Sequence, residues 1–190
     1  FRIASMSKPV TSVLALMLME EGRLDLSDPI TRWIPELAGM RVLRDPAGAL
    51  DDTVPAHRDI TVEDLLTHRS GIAYAPFSEG PVKAALEDAL GDPGLNRKTV
   101  DEWLAALGSL PLSWQPGDRF HYGHSTEVLG FLIGRLVGKP FREVLIERLL
   151  IPLGMTDTDF WVPEGDQREM AKAIIAIGKG DVEPRQKTPI

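Results

Sequence analysis

Phe1-Arg2-Ile3-Ala4-Ser5-Met6-Ser7-Lys8-Pro9 opens the chain, and an apolar run from Val10 to Met19 follows at once. Val10, Val13, Leu14, Met17 and Leu18 repeat at helical spacing, while Leu16 and Met19 widen the apolar surface. The pattern predicts a helix capped by Ser5 or Ser7, running to about Glu21, stopped by Gly22 and buried on most sides. Pro9 is tolerable in a first turn, where its missing N–H costs nothing, although Lys8 before a proline is biased away from helical angles. Ser5 and Lys8, three residues apart, fall on one face of such a helix, one turn apart. A serine hydroxyl becomes a nucleophile when a nearby base takes its proton, and an amine one turn away can do so. Free N–H groups and the positive dipole end of a helix start also favour negative charge developing on oxygen. The pattern alone is weak, because a Ser-x-x-Lys match arises by chance about once in a couple of hundred residues. Ser5 as a plain N-cap with a solvated Lys8 accounts for it equally well, so the rest of the chain has to decide.

With 190 residues, 43% of them hydrophobic, the chain suits one domain with a real core. A formal net charge of -7 argues against nucleic acid or an anionic membrane surface as the main partner. The absence of cysteine excludes disulfides and thiolate metal sites. It leaves the compartment open: cytoplasm is the default and periplasm stays possible. No apolar run approaches the length of a membrane span. The chain opens mid-pattern without a Met, so its true N-terminus is expected to lie elsewhere.

Further along, Asp28 is expected to cap a brief helix with Pro29 at its first position, turning Trp33 and Ile34 inward. Residues 35 to 59, rich in Pro, Gly, Asp and Arg, read as loop. Thr61-Val62-Glu63-Asp64 and Thr99-Val100-Asp101-Glu102 both look like capping boxes that open helices, the second with Trp103, Leu104 and Leu107 inward. Residues 72 to 98, with one helical patch near Val82 to Leu90, form the expected mobile or substrate-facing segment. Arg119 to Tyr122 reads as a short extended piece, and Ser125 as the cap of a helix over Thr126 to Val137. Gly130 and Gly134 give that helix a smooth stripe, and Gly138 its C-cap. Pro140 starts another helix, broken at Ile151-Pro152-Leu153-Gly154-Met155. Beyond Trp161, one weak helix over Arg168 to Ile177 precedes a polar tail.

A Ser/Lys site needs a further group to move protons. Tyr122, one of two tyrosines, follows a Pro-Gly turn and precedes a helix start, where a side chain can point into a cleft. A tyrosine packed at a strand end is the structural alternative. His121, His124 and Glu127 are spaced by three, as metal ligands often are, but the run crosses a predicted strand-to-helix boundary and its side chains should diverge. His68 reads as a hydrogen-bonded structural histidine and His57 as a solvated one. No phosphate-cradling glycine loop and no His-Glu-x-x-His motif is present.

Taken together, the ordered stretches are specific. Ser5-Met6-Ser7-Lys8, Glu21-Gly22-Arg23-Leu24-Asp25-Leu26-Ser27-Asp28-Pro29 and Leu65-Leu66-Thr67-His68-Arg69-Ser70-Gly71 come first. Tyr122-Gly123-His124-Ser125-Thr126-Glu127-Val128-Leu129-Gly130 and Pro152-Leu153-Gly154-Met155 follow. Over nearly its whole length the chain resembles the serine β-lactamase / penicillin-binding-protein-like superfamily, on its class C side, and within it the family VIII carboxylesterases. The resemblance implies an α+β fold, of which residues 1–190 supply one domain: mainly the helical region, cut at both ends and lacking the flanking antiparallel sheet. It implies Ser5 as acylated nucleophile, Lys8 as its proton-accepting partner and Tyr122 as proton shuttle, with the Ser5 N–H as half an oxyanion hole and no metal or organic cofactor.

Two departures qualify the resemblance. His124 stands where lactamases of this type carry Asn, which fits the esterase branch better and leaves His124 as a possible substrate contact. The later Lys-Thr-Gly-like strand motif is missing: Lys187-Thr188-Pro189 has the wrong third residue and follows Tyr122 too soon. The expectation is therefore a serine hydrolase for carboxylic esters with short acyl chains, inactive as an isolated piece. A β-lactamase or a D-amino-acid peptidase or transpeptidase with the same three residues, an acyltransferase, and a non-catalytic binding member stay as alternatives. The expected partner is a small-molecule ester or amide, with the oligomeric state undetermined.

Overall fold

The helix predicted from the opening stretch forms, and the chain packs around one of its faces. A computed structural model describes residues 3–91 and 98–160; the expected weak helix over 168–177 and the Lys187-Thr188-Pro189 tail lie outside them. Helix α1 (Ser7–Glu20) follows a single 3-10 turn at Ala4–Met6. Neither Ser5 nor Ser7 caps it, because the turn already supplies helical backbone ahead of α1. Instead the Ser7 hydroxyl donates to the Ala4 carbonyl. Lys8 is helical despite Pro9, which sits where helix N–H groups have no partner within the helix. The far end closes as expected: Gly22 takes φ +68°, its N–H reaches the Met19 carbonyl, and Arg23 N–H reaches Leu18.

Only one face of α1 is buried, through Thr11, Leu14, Ala15 and Leu18; Val13 and Leu16 are exposed. The expectation of burial on most sides is corrected accordingly. That buried face meets α5 (Ser125–Val137), whose Val128, Leu129, Leu132 and Ile133 are fully buried. Each such side chain contributes on the order of 1.5–3 kcal/mol by leaving water. Around α5 pack α2 (Val62–Leu66) and α6 (Phe141–Leu145), which continues as a π-helical turn to Leu150; α3 (Pro81–Leu90) lies on α4 (Val100–Gly108). Both expected capping boxes form, Thr61 with Asp64 and Thr99 with Glu102. The glycine stripe of α5 lets the returning chain approach: a Cβ on Gly134 would lie 3.1 Å from the Lys139 carbonyl oxygen and one on Gly130 3.6 Å from the Phe141 ring.

Several local readings give way. Asp28 caps no helix; its carboxylate accepts from Asp25 N–H and pairs with Arg32, while the 3-10 turn Ile30–Arg32 starts after Pro29. Ile34 is buried, whereas Trp33 is only half-buried. The 35–59 loop contains strands β1 (Arg41–Leu43) and β2 (Thr53–Pro55), paired antiparallel with Val42 opposite Val54. Leu112 adds a parallel bridge to Val42. Arg119–Tyr122 is irregular rather than extended, and Ser125 is a buried first residue of α5 rather than its cap. The described fold is thus α+β, mostly helical, with one two-stranded antiparallel sheet. No helix among the described residues is long and apolar enough to cross a membrane.

Candidate active site

Tyr122 stands on a buried frame built from two of the quoted stretches. The Ser70 and Ser125 hydroxyls, both fully buried, bond to each other at 2.8 Å, and Ser70 Oγ also accepts from Ile72 N–H. His121 N–H donates to the His68 carbonyl at 2.7 Å, Ser113 N–H to Gly71, and Gly117 N–H to Arg69. Gly71 takes φ +78° and lies so close to the next segment that a Cβ would sit 2.0 Å from the Trp114 carbonyl oxygen. A Cβ on Gly123 would sit 2.5 Å from the Ile72 carbonyl oxygen. Only glycine fits at these two approaches, which is the physical content of Ser70-Gly71 and Tyr122-Gly123. Beneath the frame, buried Asp64 accepts two bonds from Arg58 at 2.5 and 3.0 Å and a third from Thr61 N–H.

The frame delivers the phenol to the start of α1. Tyr122 Oη lies 2.7 Å from Ser5 Oγ, across 117 residues of chain. Lys8 Nζ lies 5.0 Å from the centre of the Tyr122 ring and comes within 3.8 Å of Glu127 Oε1. Burial works to lower the Lys8 pKa, but the Tyr122 hydroxyl and the Glu127 charge outweigh it and hold the amine above its usual value. Tyr122 moves the opposite way. The bond with Ser5 is the strongest influence and, with the Lys8 charge, keeps the phenol below its usual value although burial opposes the shift. Just before Ser5, Ala4 takes φ +44°, a left-handed conformation costly for a residue with a Cβ. Strain of this kind gathers at functional sites.

Aromatic residues wall the site. The His68 ring, itself at φ +54°, stacks on Tyr122 with centroids 4.8 Å apart, and Phe77 and Tyr74 meet Tyr122 edge-on at 5.7 and 6.0 Å. An open cleft of about 650 Å³ is lined by Ser5, Tyr74, Pro76, Phe77, Phe120, His121 and Tyr122. His124 stands behind that lining, buried and edge-on to Tyr74 at 4.9 Å and Trp103 at 5.3 Å. Burial pushes the pKa of His68, His121 and His124 down, so all three favour the neutral form. His68 stacks on Tyr122 with no hydrogen-bond partner at Nδ1, while its carbonyl accepts from His121 N–H. His57 is exposed as expected. Among the described residues no group of three His, Asp or Glu side chains is placed to hold a metal.

Ser5, Lys8 and Tyr122, singled out in the sequence, therefore converge. The reading missed Glu127 as a neighbour of Lys8, having weighed it only within the His121/His124/Glu127 run. It also missed the stacked His68 and the walls Tyr74 and Phe77. The aromatic residues of the 72 to 98 segment were the available signal for the walls. Nothing local in the sequence reports that Glu127 faces α1.

Comparison with known proteins places the chain in a family. The family model described as Beta-lactamase matches residues 1–187. Protein Rv1367c of Mycobacterium tuberculosis is 50% identical over 171 residues, 90% of this chain and 41% of the relative. Esterase EstB of Burkholderia gladioli is 36% identical over 163 residues, 84% of this chain and 38% of the relative. Among solved structures, EstCE1, described as a hydrolase with promiscuous acyltransferase activity, superposes with a TM-score of 0.68 at 28% identity, covering 84% of this chain and 39% of that one. The chain thus spans about two fifths of the length of the relatives it matches.

Proposed function

This chain belongs to the Beta-lactamase family, and on that premise we propose that it carries the nucleophilic half of a serine hydrolase for carboxylic esters with short acyl chains. The fold is the mostly helical part of the β-lactamase / penicillin-binding-protein-like fold, and residues 1–190 are read as part of a single catalytic domain. The observation that carries the reading is the 2.7 Å contact between Ser5 Oγ and Tyr122 Oη, with the Lys8 ammonium beside the same ring.

In this reading Tyr122, its ionised form favoured by the bond with Ser5 and by the Lys8 charge, takes the Ser5 proton as Oγ attacks the ester carbonyl; Lys8, expected to accept that proton, is held as an ammonium and acts through its charge. The Ser5 N–H supplies one donor to the resulting oxyanion. Collapse breaks the bond to the alkoxy group, which leaves as alcohol with the proton returned from Tyr122. Water then attacks acyl-Ser5 by the same route, Tyr122 taking its proton and handing it to Ser5 as the acid departs. His124 serves the substrate side from behind, by holding the edge of Tyr74. The likeness to EstB supports an ester substrate. The likeness to EstCE1 favours a second outcome for the same intermediate, transfer of the acyl group to an added alcohol.

On the full-length protein, p-nitrophenyl butyrate should be turned over in preference to a chromogenic cephalosporin. A cephalosporin preferred by orders of magnitude overturns the ester assignment in favour of a lactamase or peptidase. A new ester formed in the presence of an alcohol acceptor establishes transfer. Failure of a fluorophosphonate to label Ser5 favours a binding role.

A further inference from the structure

Glu127 occupies the first turn of α5 with its carboxylate exposed, yet it reaches across to the Lys8 amine on α1 at 3.8 Å. We propose that Glu127 is a positioning residue of this site: it holds the Lys8 amine against the Tyr122 phenol and sets the pH at which the Ser5–Tyr122–Lys8 group becomes reactive. The role rests on the reading of Ser5 as nucleophile given above.

Several side chains face this pair from different elements. Lys8 comes from α1, Tyr122 and His124 from the segment just before α5, His68 from the turn after α2, and Tyr74 from the segment before α3. His68 and His124 are pushed toward neutrality by burial, and Arg119 together with burial does the same to His121. Glu127 is the carboxylate beside this group, and its field works to raise the pKa of Lys8, Tyr122, His68 and His124, although burial keeps the two histidines, and the bond with Ser5 the phenol, below their usual values. Two coupled ionisations, phenol and ammonium, govern the base, and a fixed negative charge beside them makes both protons harder to remove. The acid limb of reactivity therefore lies at higher pH with Glu127 than it does without it.

A glutamate in a helix's first turn also complements the helix dipole. That role affects stability and leaves a pH profile in place, so the two are separable.

The test uses full-length wild type, Glu127→Gln and Glu127→Asp, following the rate of Ser5 labelling by a fluorophosphonate against pH. Glu127→Gln should move the acid limb to lower pH by about half a pH unit or more, an effect of the size expected for one partly solvated charge at this distance. Glu127→Asp, which keeps the charge, should bring the limb back toward the wild-type position. Melting temperatures should agree within about 2 °C, since an exposed ion pair contributes little to stability. A limb that stays in place in Glu127→Gln, whatever happens to the labelling rate, overturns the role. Absent labelling of Ser5 in the wild type brings down the reading of the site itself.

Discussion

The two sides of the cleft are held by different physics. The Tyr122 side is over-determined: Ser70 bonded to Ser125 out of water, two backbone approaches that only glycine permits, and a buried Asp64 neutralised by the exposed Arg58. The Ser5 side is an exposed, uncapped helix start, entered through a strained Ala4 and joined to the phenol through the polar contacts of Ser5 and Lys8. The contrast separates two jobs. A rigid wall fixes where the phenol stands, and Ser5 and Lys8 then meet it by hydrogen bond and charge. Changes on the first side should cost stability, and changes on the second should cost chemistry.

The sharpest break is Ser5→Ala. On the full-length protein it should lower ester hydrolysis by about 10³-fold or more while leaving the melting temperature nearly unchanged, because an exposed hydroxyl supports little structure. Assay and thermal melt together check this. Gly71→Ala should invert the pattern. With φ at +78° and a carbonyl oxygen where the methyl would go, it should destabilise by about 3 kcal/mol or more in denaturant unfolding. A silent Gly71→Ala would mean that the wall is softer than its geometry implies. Ser70→Ala, which strips Ser125 Oγ of its buried partner, should cost about 1–2 kcal/mol by the same measurement.

A pH series sharpens the comparison further. Burial raises the Asp64 pKa, but the bonds from Arg58 and Thr61 prevail and hold it below the usual carboxylate value. Its contribution is thus fully present above the unfolded value of about 3.9 and is lost as pH falls through the lower folded value. Asp64→Asn should flatten that acid loss in unfolding curves, with no corresponding change in the alkaline range. The smallest expected effect belongs to the rim: Phe77→Ala, exposed beside Tyr122, should raise KM a few-fold with the melting temperature unchanged.

What the sequence revealed follows the same division. Helices with strong local signals were legible: the two capping boxes of α2 and α4, the glycine stripe of α5, the Gly22 stop of α1. Ser5, Lys8 and Tyr122 were legible because their chemistry narrows the choice, and the ordered motifs supported them. The β1–β2 pair was not, because three-residue strands are too short to show alternation and are held by Leu112, far along the chain. The burial of α1 was overstated because apolar periodicity marks a face without saying whether anything covers it. Val13 and Leu16 are as hydrophobic as Leu14 and Leu18, yet they stay exposed. The Glu127–Lys8 contact was invisible for a related reason: 119 positions separate the partners, and no local rule connects them.

One measurement bears most directly on the three converging groups. Full-length protein mixed with p-nitrophenyl butyrate and quenched in acid before a second turnover should carry a butyryl group on the peptide containing Ser5, and Tyr122→Phe should slow its appearance. A butyryl group on any other residue, or butyrate released without acylated protein at any quench time, would contradict the account.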